Sequence, residues 1–398
     1  MIPRKQLDVR WRDLGYGLLA CTGLALPPPA QDRAGRLVLS ARTDSLVCLS
    51  VRSGFDLLLG ELAWAAGDEV LVTAITIPDM SRILDKHGLK SVPVDLDPDT
   101  LAPDEATLDR AITPRTRAVL VAHLFGSRLP LDWLIAWAHG RGLLVLEDCA
   151  QAWTADGFDG HAQSDVRMFS FGTIKTATAF GGGVFLVKDA ALLSRLAARH
   201  ANWPAQRTGA YAQRLLKFSA FTLIQAPWSY GLVFRFINFI GGDADKFITA
   251  FGRGFAGDDF FARLRCQPCA ALRLMLAHRL ATADVARVQR RAAAGEFMLA
   301  HLRTAQPLAA KAEHRTHWIF PLRVKNAEAL RPVLLRAGFD STLVNSSLIA
   351  LPACGGSNAP KAQAAMRDVL YVPVYAAVGE RRLARLAALL NEHAEPSV

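Results

Sequence analysis

Short apolar runs alternate with amphipathic helical patterns between residues 53 and 188. Six runs have the length and the β-branched content of strands, and they lie at 69–72, 91–95, 118–122, 143–146, 168–171 and 183–187. Helical patterns separate most of them, for instance at 57–66, 104–111 and 131–139. Parallel strands need crossover connections of this length, so the pattern predicts a doubly wound α/β domain with a mainly parallel sheet.

The pattern changes after residue 192. Helical Ala/Leu/Arg-rich sequence continues to about residue 303 and is interrupted by an aromatic-rich segment, 203–261. The last part alternates strand-like and helical runs, at 317–324, 327–337, 342–351 and 379–393. We therefore predict three parts: an N-terminal arm over 1–40, a large α/β domain over 41–300, and a small α+β domain over 301–398.

Two apolar runs could be mistaken for membrane signals. Residues 14–26 follow a basic region as in a secretory signal, but acidic residues interrupt that region and prolines follow the run. Residues 218–234 carry no charge over 17 positions, but they contain Gln225 and Pro227. We expect neither run to be a signal peptide or a spanning helix.

Composition narrows the class of protein further. The net charge of +10 suits an anionic substrate or an anionic lipid surface, and the absence of finger spacings or long basic runs argues against a nucleic-acid partner. The six cysteines form no regular framework, which favours a reducing, cytoplasmic location. Cys266 and Cys269 form a single C-x-x-C with no second pair, so we expect no metal site.

Two residues stand where chemistry is expected. Asp148 ends a buried strand, and in open α/β sheets ligands bind at the carboxyl ends of strands, although an aspartate there could equally cap the next helix. Lys175 follows the next strand and precedes a glycine run. Burial would leave its amine neutral and nucleophilic, whereas the alternative is a solvated loop lysine.

Gln151 and Ser170 complete an ordered set with these two residues. The set offers an acid for a ring nitrogen, a donor for a ring hydroxyl, a hydroxyl for a phosphate and an amine for an aldehyde. Pyridoxal 5'-phosphate has all four of these groups, so the set is typical of an enzyme that uses this cofactor.

At this point the chain resembles the DegT/DnrJ/StrS sugar aminotransferases, a branch of the fold type I pyridoxal-phosphate enzymes. The resemblance covers about residues 52–187 well and the rest loosely. It depends on seven ordered segments, which are Ser53-Gly54, residues 67–70, residues 94–98, residues 111–122, residues 123–126, residues 147–151, and residues 169–171 with Lys175.

The resemblance implies a role for each matching residue. Lys175 holds the cofactor as a Schiff base and moves the substrate proton, Asp148 keeps the pyridine nitrogen protonated, and Gln151 contacts the ring hydroxyl. The phosphate is held by Ser170 together with a helix start formed by Ser53, Gly54 and Phe55. Family members are usually homodimers, and Arg263 falls where the family has an asparagine that reaches the partner's phosphate.

The chain also departs from the family pattern. Phe55 stands where a threonine is usual, and Ile77-Pro78 stands where an aromatic residue stacks on the cofactor ring. The His-Tyr element of the small domain is missing, and residues 345–347 take its place. These departures put a standard nucleotide-sugar substrate in doubt.

The sequence therefore predicts an aminotransferase that moves an amino group, expected to come from glutamate, to a keto group of a sugar or sugar-like acceptor, nucleotide-linked or lipid-linked. One alternative is a sugar dehydratase, but those relatives carry His where this chain has Lys175. Another is a catalytically idle relative that serves as a membrane-associated scaffold, although a scaffold needs none of the four residues of the set. Residues 217–254 combine aromatic side chains with flanking cations, which fits either peripheral membrane contact or a dimer or core segment.

Overall fold

The protein is built around a seven-stranded sheet, seen in a computed structural model that describes residues 1–27, 42–242, 259–343 and 348–396. The strands of the large part are β1 (Ser45–Cys48), β2 (Glu69–Thr73), β3 (Ile75–Thr76), β4 (Lys90–Val94), β5 (Thr116–Ala122), β6 (Ser127–Arg128), β7 (Leu144–Asp148), β8 (Val166–Ser170) and β9 (Gly183–Val187). The sheet has the order β1-β9-β8-β7-β5-β2-β4. Its neighbours from β4 to β8 are parallel, and β9 is antiparallel to both β8 and β1.

Helices cover both faces of this sheet. The first six are α1 (Trp11–Cys21), α2 (Val51–Leu62), α3 (Pro78–Lys86), α4 (Glu105–Ala111), α5 (Asp132–His139) and α6 (Ala190–Ala201). Strand β5 has both faces buried: Val119 packs in the cluster that contains Leu108 and Leu134, and Leu120 packs in the cluster that contains Leu58 and Leu196. The predicted doubly wound, mainly parallel domain is confirmed. The six predicted strands are all present, with ends that differ by no more than two residues.

Helix α2 begins two residues earlier than the Ser53-Gly54 start that the sequence suggested. Ser50 is its N-cap, and its Oγ accepts the N–H of Ser53 at 3.1 Å. Gly54 faces the sheet so closely that a Cβ there would lie 2.1 Å from the ring of Phe185 on β9. The glycine therefore permits close packing of α2 on the sheet, and the following Phe55 is fully buried in the core.

The apolar run at 218–234 is divided between two helices, α7 (Thr208–Ile224) and α8 (Pro227–Phe239). The break falls at Gln225, before the proline that opens α8. No helix in the described ranges is long and apolar enough to cross a bilayer. Residues 243–254, the end of the segment considered for membrane contact, lie outside the described residues.

In the described range that starts at residue 259, the next helices are α9 (Phe260–Leu264), α10 (Ala270–Thr282) and α11 (Val285–His301). Helix α1, which contains much of the apolar run at 14–26, packs against α10 and α7. Its Asp13 is fully buried and pairs with Arg279 at 2.5 Å and with His278 at 3.0 Å. The helical part of this run therefore contributes Leu14 and Ala20 to the packed core, whereas Leu24 and Leu26 beyond the helix are exposed.

The C-terminal part contains β10 (Gln306–Pro307), β11 (His314–Arg315), β12 (Phe320–Arg323), α12 (Ala327–Arg336), β13 (Ile349–Ala350), α13 (Pro360–Arg367), β14 (Val369–Val372) and α14 (Glu380–His393). Strands β10, β12 and β14 form a three-stranded sheet in that order. Leu330 of α12 and Leu386 of α14 pack in the core beneath it. The helices near 327–337 and 379–393 occur as predicted, whereas β14 is a strand that the sequence pattern did not reveal.

The N-terminal segment 1–10, called the arm below, runs between the two parts of the chain. Ile2 donates its N–H to the carbonyl of Gly338 at 2.7 Å, which attaches the start of the arm to the small domain. Asp8 accepts the N–H of Ala177 at 3.0 Å, which attaches its other end to the large domain. Between them, the Gln225 carboxamide accepts the N–H of Leu7 at 3.2 Å and donates to the carbonyl of Lys5 at 3.5 Å.

The packing of α2 leads to a stability prediction. Gly54→Ala would force a methyl group into the Phe185 ring, so we expect a loss of about 1–3 kcal/mol or more in the free energy of unfolding, measured by urea denaturation. Gly15→Ala is the matched control because α1 leaves open space there, and it should gain up to about 1 kcal/mol of helix propensity. Equal effects of the two substitutions would contradict the packing described for α2.

Candidate active site

The carboxyl ends of two neighbouring parallel strands meet at a large cavity of about 1140 Å3. Asp148 is the last residue of β7 and Ser170 is the last residue of β8, and both line the cavity. Lys175 and Gln151, from the loops that follow these strands, line it as well. The structure therefore brings together the four residues that the sequence singled out, at the edge of the sheet where ligands of such folds bind.

Lys175 has the properties of a nucleophilic amine. Its Nζ lies 4.3 Å from the centroid of the Trp318 ring. The pKa of Lys175 is lowered from 10.5 to about 8 because burial, helped by the nearby Arg52, outweighs the opposing charge of Asp148. A substantial fraction of this amine is therefore neutral just above neutral pH, as attack on an aldehyde requires.

Asp148 is a carboxylate without an ion-pair partner in the described chain. Its Oδ1 accepts the N–H of Ala150 at 2.9 Å, and no described lysine, arginine or histidine nitrogen lies within 4.0 Å of it. Burial raises its pKa, and the Ala150 N–H and the charge of Lys175 only partly oppose this. A cationic N–H group in the cavity would offset this cost, and a protonated pyridine nitrogen is such a group.

Gln151 is oriented by the loop beside it. Its side-chain oxygen accepts the N–H of Phe125 at 2.9 Å, so its NH2 group is the part left to donate. A donor is the group that a ring hydroxyl or phenolate oxygen needs. The residue thus has the polarity that the sequence analysis required of it.

The start of α2 forms one wall of the cavity, through Ser50, Val51 and Arg52. The N–H groups of Val51 and Arg52 precede the helical hydrogen-bonding pattern, and such groups bind anions. The Ser53 N–H is already taken by Ser50, and Gly54 donates to the Ser50 carbonyl at 3.1 Å. Ser53, Gly54 and Phe55, which the sequence suggested for the phosphate, do not line the cavity, and the lining residues of this helix start are the preceding Ser50, Val51 and Arg52.

Other predicted positions are less central. Arg263 lies exposed on the short helix α9 and does not line the cavity of its own chain. Ile77 and Pro78, which stand where the resemblance leads one to expect a stacking aromatic residue, do line it, at the start of α3. Residues 345–347 lie outside the described residues.

Sequence reasoning missed much of this cavity, including three residues close to Lys175. Trp318 lies beside the Lys175 amine, Lys5 reaches the same ring from the arm, and Arg291 enters from α11. Each is far from the 148–175 region in the chain. The net positive charge of the sequence was the only indication of Lys5 and Arg291, and a net charge does not show which cations lie together in the fold.

A buried polar network supports the strand end behind the cavity. His123 Nδ1 accepts the N–H of Leu129 at 3.0 Å, so Nε2 carries the proton and donates to Glu147 at 2.8 Å. The Sγ of Cys149 donates to the same carboxylate oxygen at 3.3 Å. These three side chains could in principle ligate a metal, but their hydrogen bonds to one another explain their burial.

The geometry agrees with what comparison with known proteins finds. The model of the DegT/DnrJ/EryC1/StrS aminotransferase family matches residues 40–214. The L-glutamine:2-deoxy-scyllo-inosose aminotransferase of Micromonospora echinospora is 38% identical over 139 residues, 33% of this chain and 31% of that protein. The enzyme of the same name from Streptoalloteichus tenebrarius is 34% identical over 201 residues, 48% of this chain and 47% of that protein. The chain thus spans about a third to a half of the length of these curated relatives.

The likeness in fold extends further than the likeness in sequence. The crystal structure of a sugar aminotransferase from Micromonospora echinospora covers 99% of this chain and all of its own, with a TM-score of 0.66 at 21% identity. The matched segment 40–214 contains Asp148, Gln151, Ser170 and Lys175. Over that segment, which is less than half of the chain, the sequence matches the DegT/DnrJ/EryC1/StrS aminotransferase family.

Proposed function

We propose that this protein is a pyridoxal-phosphate-dependent aminotransferase that moves an amino group to a keto group of a sugar or sugar-like acceptor. The observation that carries the proposal is the pairing, in one cavity, of a lysine amine of lowered pKa with the unpaired carboxylate of Asp148. The family and the names of the relatives support the same reaction. The cofactor, when bound, supplies an electron sink and a carrier for the amino group.

The residues of the cavity divide the work. Lys175 would hold the cofactor through its aldehyde, and its amine would serve as the group that accepts and returns the substrate proton. Asp148 holds a proton on the ring nitrogen, and Gln151 donates to the ring oxygen. Ser170 and the N–H groups at the start of α2 hold the phosphate.

The amino donor in this proposal is glutamate, and the acceptor is nucleotide-linked or lipid-linked. The chain acts as a homodimer in which Arg263, exposed on α9, reaches the partner's cofactor phosphate. We propose a cytoplasmic location, which the six free cysteines support. Lys175 favours transamination over sugar dehydration, and the four cavity residues favour an enzyme over an idle scaffold.

We also propose that α7 and α8 contact an anionic membrane surface from the cytoplasmic side. Leu216 and Leu223 are exposed on α7, at a spacing of two helical turns. Trp228, Leu232 and Phe236 are exposed on α8, at successive spacings of four residues. One apolar face on each of two adjacent helices, in a chain of net charge +10, fits an interface with anionic lipid.

The cofactor proposal predicts a spectrum. Purified protein given pyridoxal phosphate should develop the visible band of lysine-bound cofactor, and glutamate should convert it to the near-ultraviolet band of the aminated form. Lys175→Ala should lack the visible band and lose at least roughly 10²-fold in the rate of that conversion. Lys188→Ala, which removes an exposed lysine that does not line the cavity, is the control and should behave as the wild type. An unchanged band in Lys175→Ala would contradict the assignment.

The lowered pKa of Lys175 predicts a pH dependence. The amine is protonated below its pKa, so its reactive fraction should rise as the pH increases through about 8 rather than through 10.5. Lysine labelled with carbon-13 at Cε reports this ionisation by NMR, and the Lys175 signal is the one lost in Lys175→Ala. A Lys175 midpoint near 10, equal to that of exposed lysines, would contradict its burial.

Membrane contact predicts co-flotation with vesicles that contain phosphatidylglycerol at low salt. Replacing Trp228 and Phe236 together by Ser should lower the bound fraction at least tenfold, because about 1.5–3 kcal/mol is lost for each buried side chain. Trp133→Ser, which removes an exposed tryptophan on α5, is the control. If the double variant instead converts a dimer into a monomer and the wild type does not float, these faces form a subunit interface.

A further inference from the structure

The cavity carries more positive charge than its carboxylates balance. Nine lysines and arginines and four aspartates line it. Most of the cations have carboxylate partners: Arg4 with Asp340, Arg10 and Arg290 with Asp284, Arg52 with Asp79, and Arg287 with Asp8. Besides Lys175, three cavity cations have no carboxylate of the described chain within 4.0 Å, and they are Lys5, Arg214 and Arg291.

The arm fixes Lys5 inside the cavity. Arg4 pairs with Asp340 at 2.7 Å on one side, and the Gln225 carboxamide bonds the backbone of Lys5 and Leu7 on the other. The Lys5 Nζ lies 3.6 Å from the centroid of the Trp318 ring, buried and without a hydrogen-bond partner among the described residues. A buried amine of this kind costs free energy unless a ligand completes its hydrogen bonds.

Arg291 approaches the same place from α11. Its guanidinium donates to the carbonyl of Thr316 at 2.8 Å and to the Oγ1 of Thr176, next to Lys175, at 3.2 Å. Burial lowers the pKa of Arg291 to about 10. Burial also lowers the pKa of Lys5 well below 10.5, and the charges of Lys175 and Arg291 lower it further. Lys175 and Arg291 are thus both close enough to disfavour a positive charge on Lys5, and an anion bound beside Lys5 would offset this repulsion.

We propose that Lys5 and Arg291 form an anion subsite beside Lys175 that binds an acidic group of the substrate. This inference rests on the proposed function, because it assigns the group to a molecule that reacts at Lys175. The group is a carboxylate of the amino donor or a phosphate of the acceptor. The proposed subsite is separate from the site for the cofactor phosphate, which we assign to Ser170 and the N–H groups at the start of α2.

Calorimetric titration of the full chain, with and without pyridoxal phosphate, tests the subsite by measuring the affinity for two anionic probes and requires no enzymatic activity. Glutarate probes for a donor carboxylate, and inorganic pyrophosphate probes for an acceptor phosphate. Lys5→Met keeps the apolar stem and removes the amine, so it should weaken at least one probe on the order of tenfold or more. Lys5→Arg should restore much of the binding, whereas Lys188→Met should not change it.

The outcomes are distinct. Loss of glutarate binding alone assigns the subsite to the donor, and loss of pyrophosphate binding alone assigns it to the acceptor. Equal affinities of wild type and Lys5→Met for both probes overturn the inference. So does a wild type that binds neither probe with a dissociation constant of about 10 mM or lower, which corresponds to a binding free energy of about −2.7 kcal/mol or stronger. Probe binding that needs Lys5 in a chain that shows no visible cofactor band would instead overturn the proposed function and leave the subsite standing.

Discussion

Desolvation of charge at one edge of the sheet is the constraint on which the rest of this structure depends. Strands β7 and β8 end at the cavity, and the residues that follow them are held where water is scarce. Burial lowers the pKa of Lys175 to about 8 and raises that of Asp148. The same burial would be a cost in an ordinary core, but here it gives an amine that can attack and a carboxylate that favours a cationic ring.

The position of these groups depends on the packing of residues that do not line the cavity themselves. Gly54 lets α2 lie against Phe185, which brings the start of the helix to the cavity wall. The buried network of His123 and Glu147 supports the end of β7. Rigid elements thus hold the polar groups, and the loop that carries Lys175 needs only a short reach from β8.

The sequence was sufficient for features that local pattern determines. Strands such as β7 are continuous apolar runs, so their positions and the strand-end Asp148 could be predicted directly, whereas the role expected of Lys175 came from the family resemblance. The first turn of α2 could not be located to the residue, because the capping Ser50 and the motif at Ser53 compete as starts. Lys5, Arg291 and Trp318 could not be assigned, since only tertiary structure brings residues so distant in the chain to one cavity.

Gln225 links two regions that otherwise look unrelated. It lies in the break between α7 and α8, and its side-chain carboxamide bonds the backbone of Lys5 and Leu7. Contacts on the outer surface and contacts of the buried amine therefore share one set of hydrogen bonds. Any free-energy coupling between docking of the helix pair and occupancy beside Lys5 would pass through that set and would act equally in both directions.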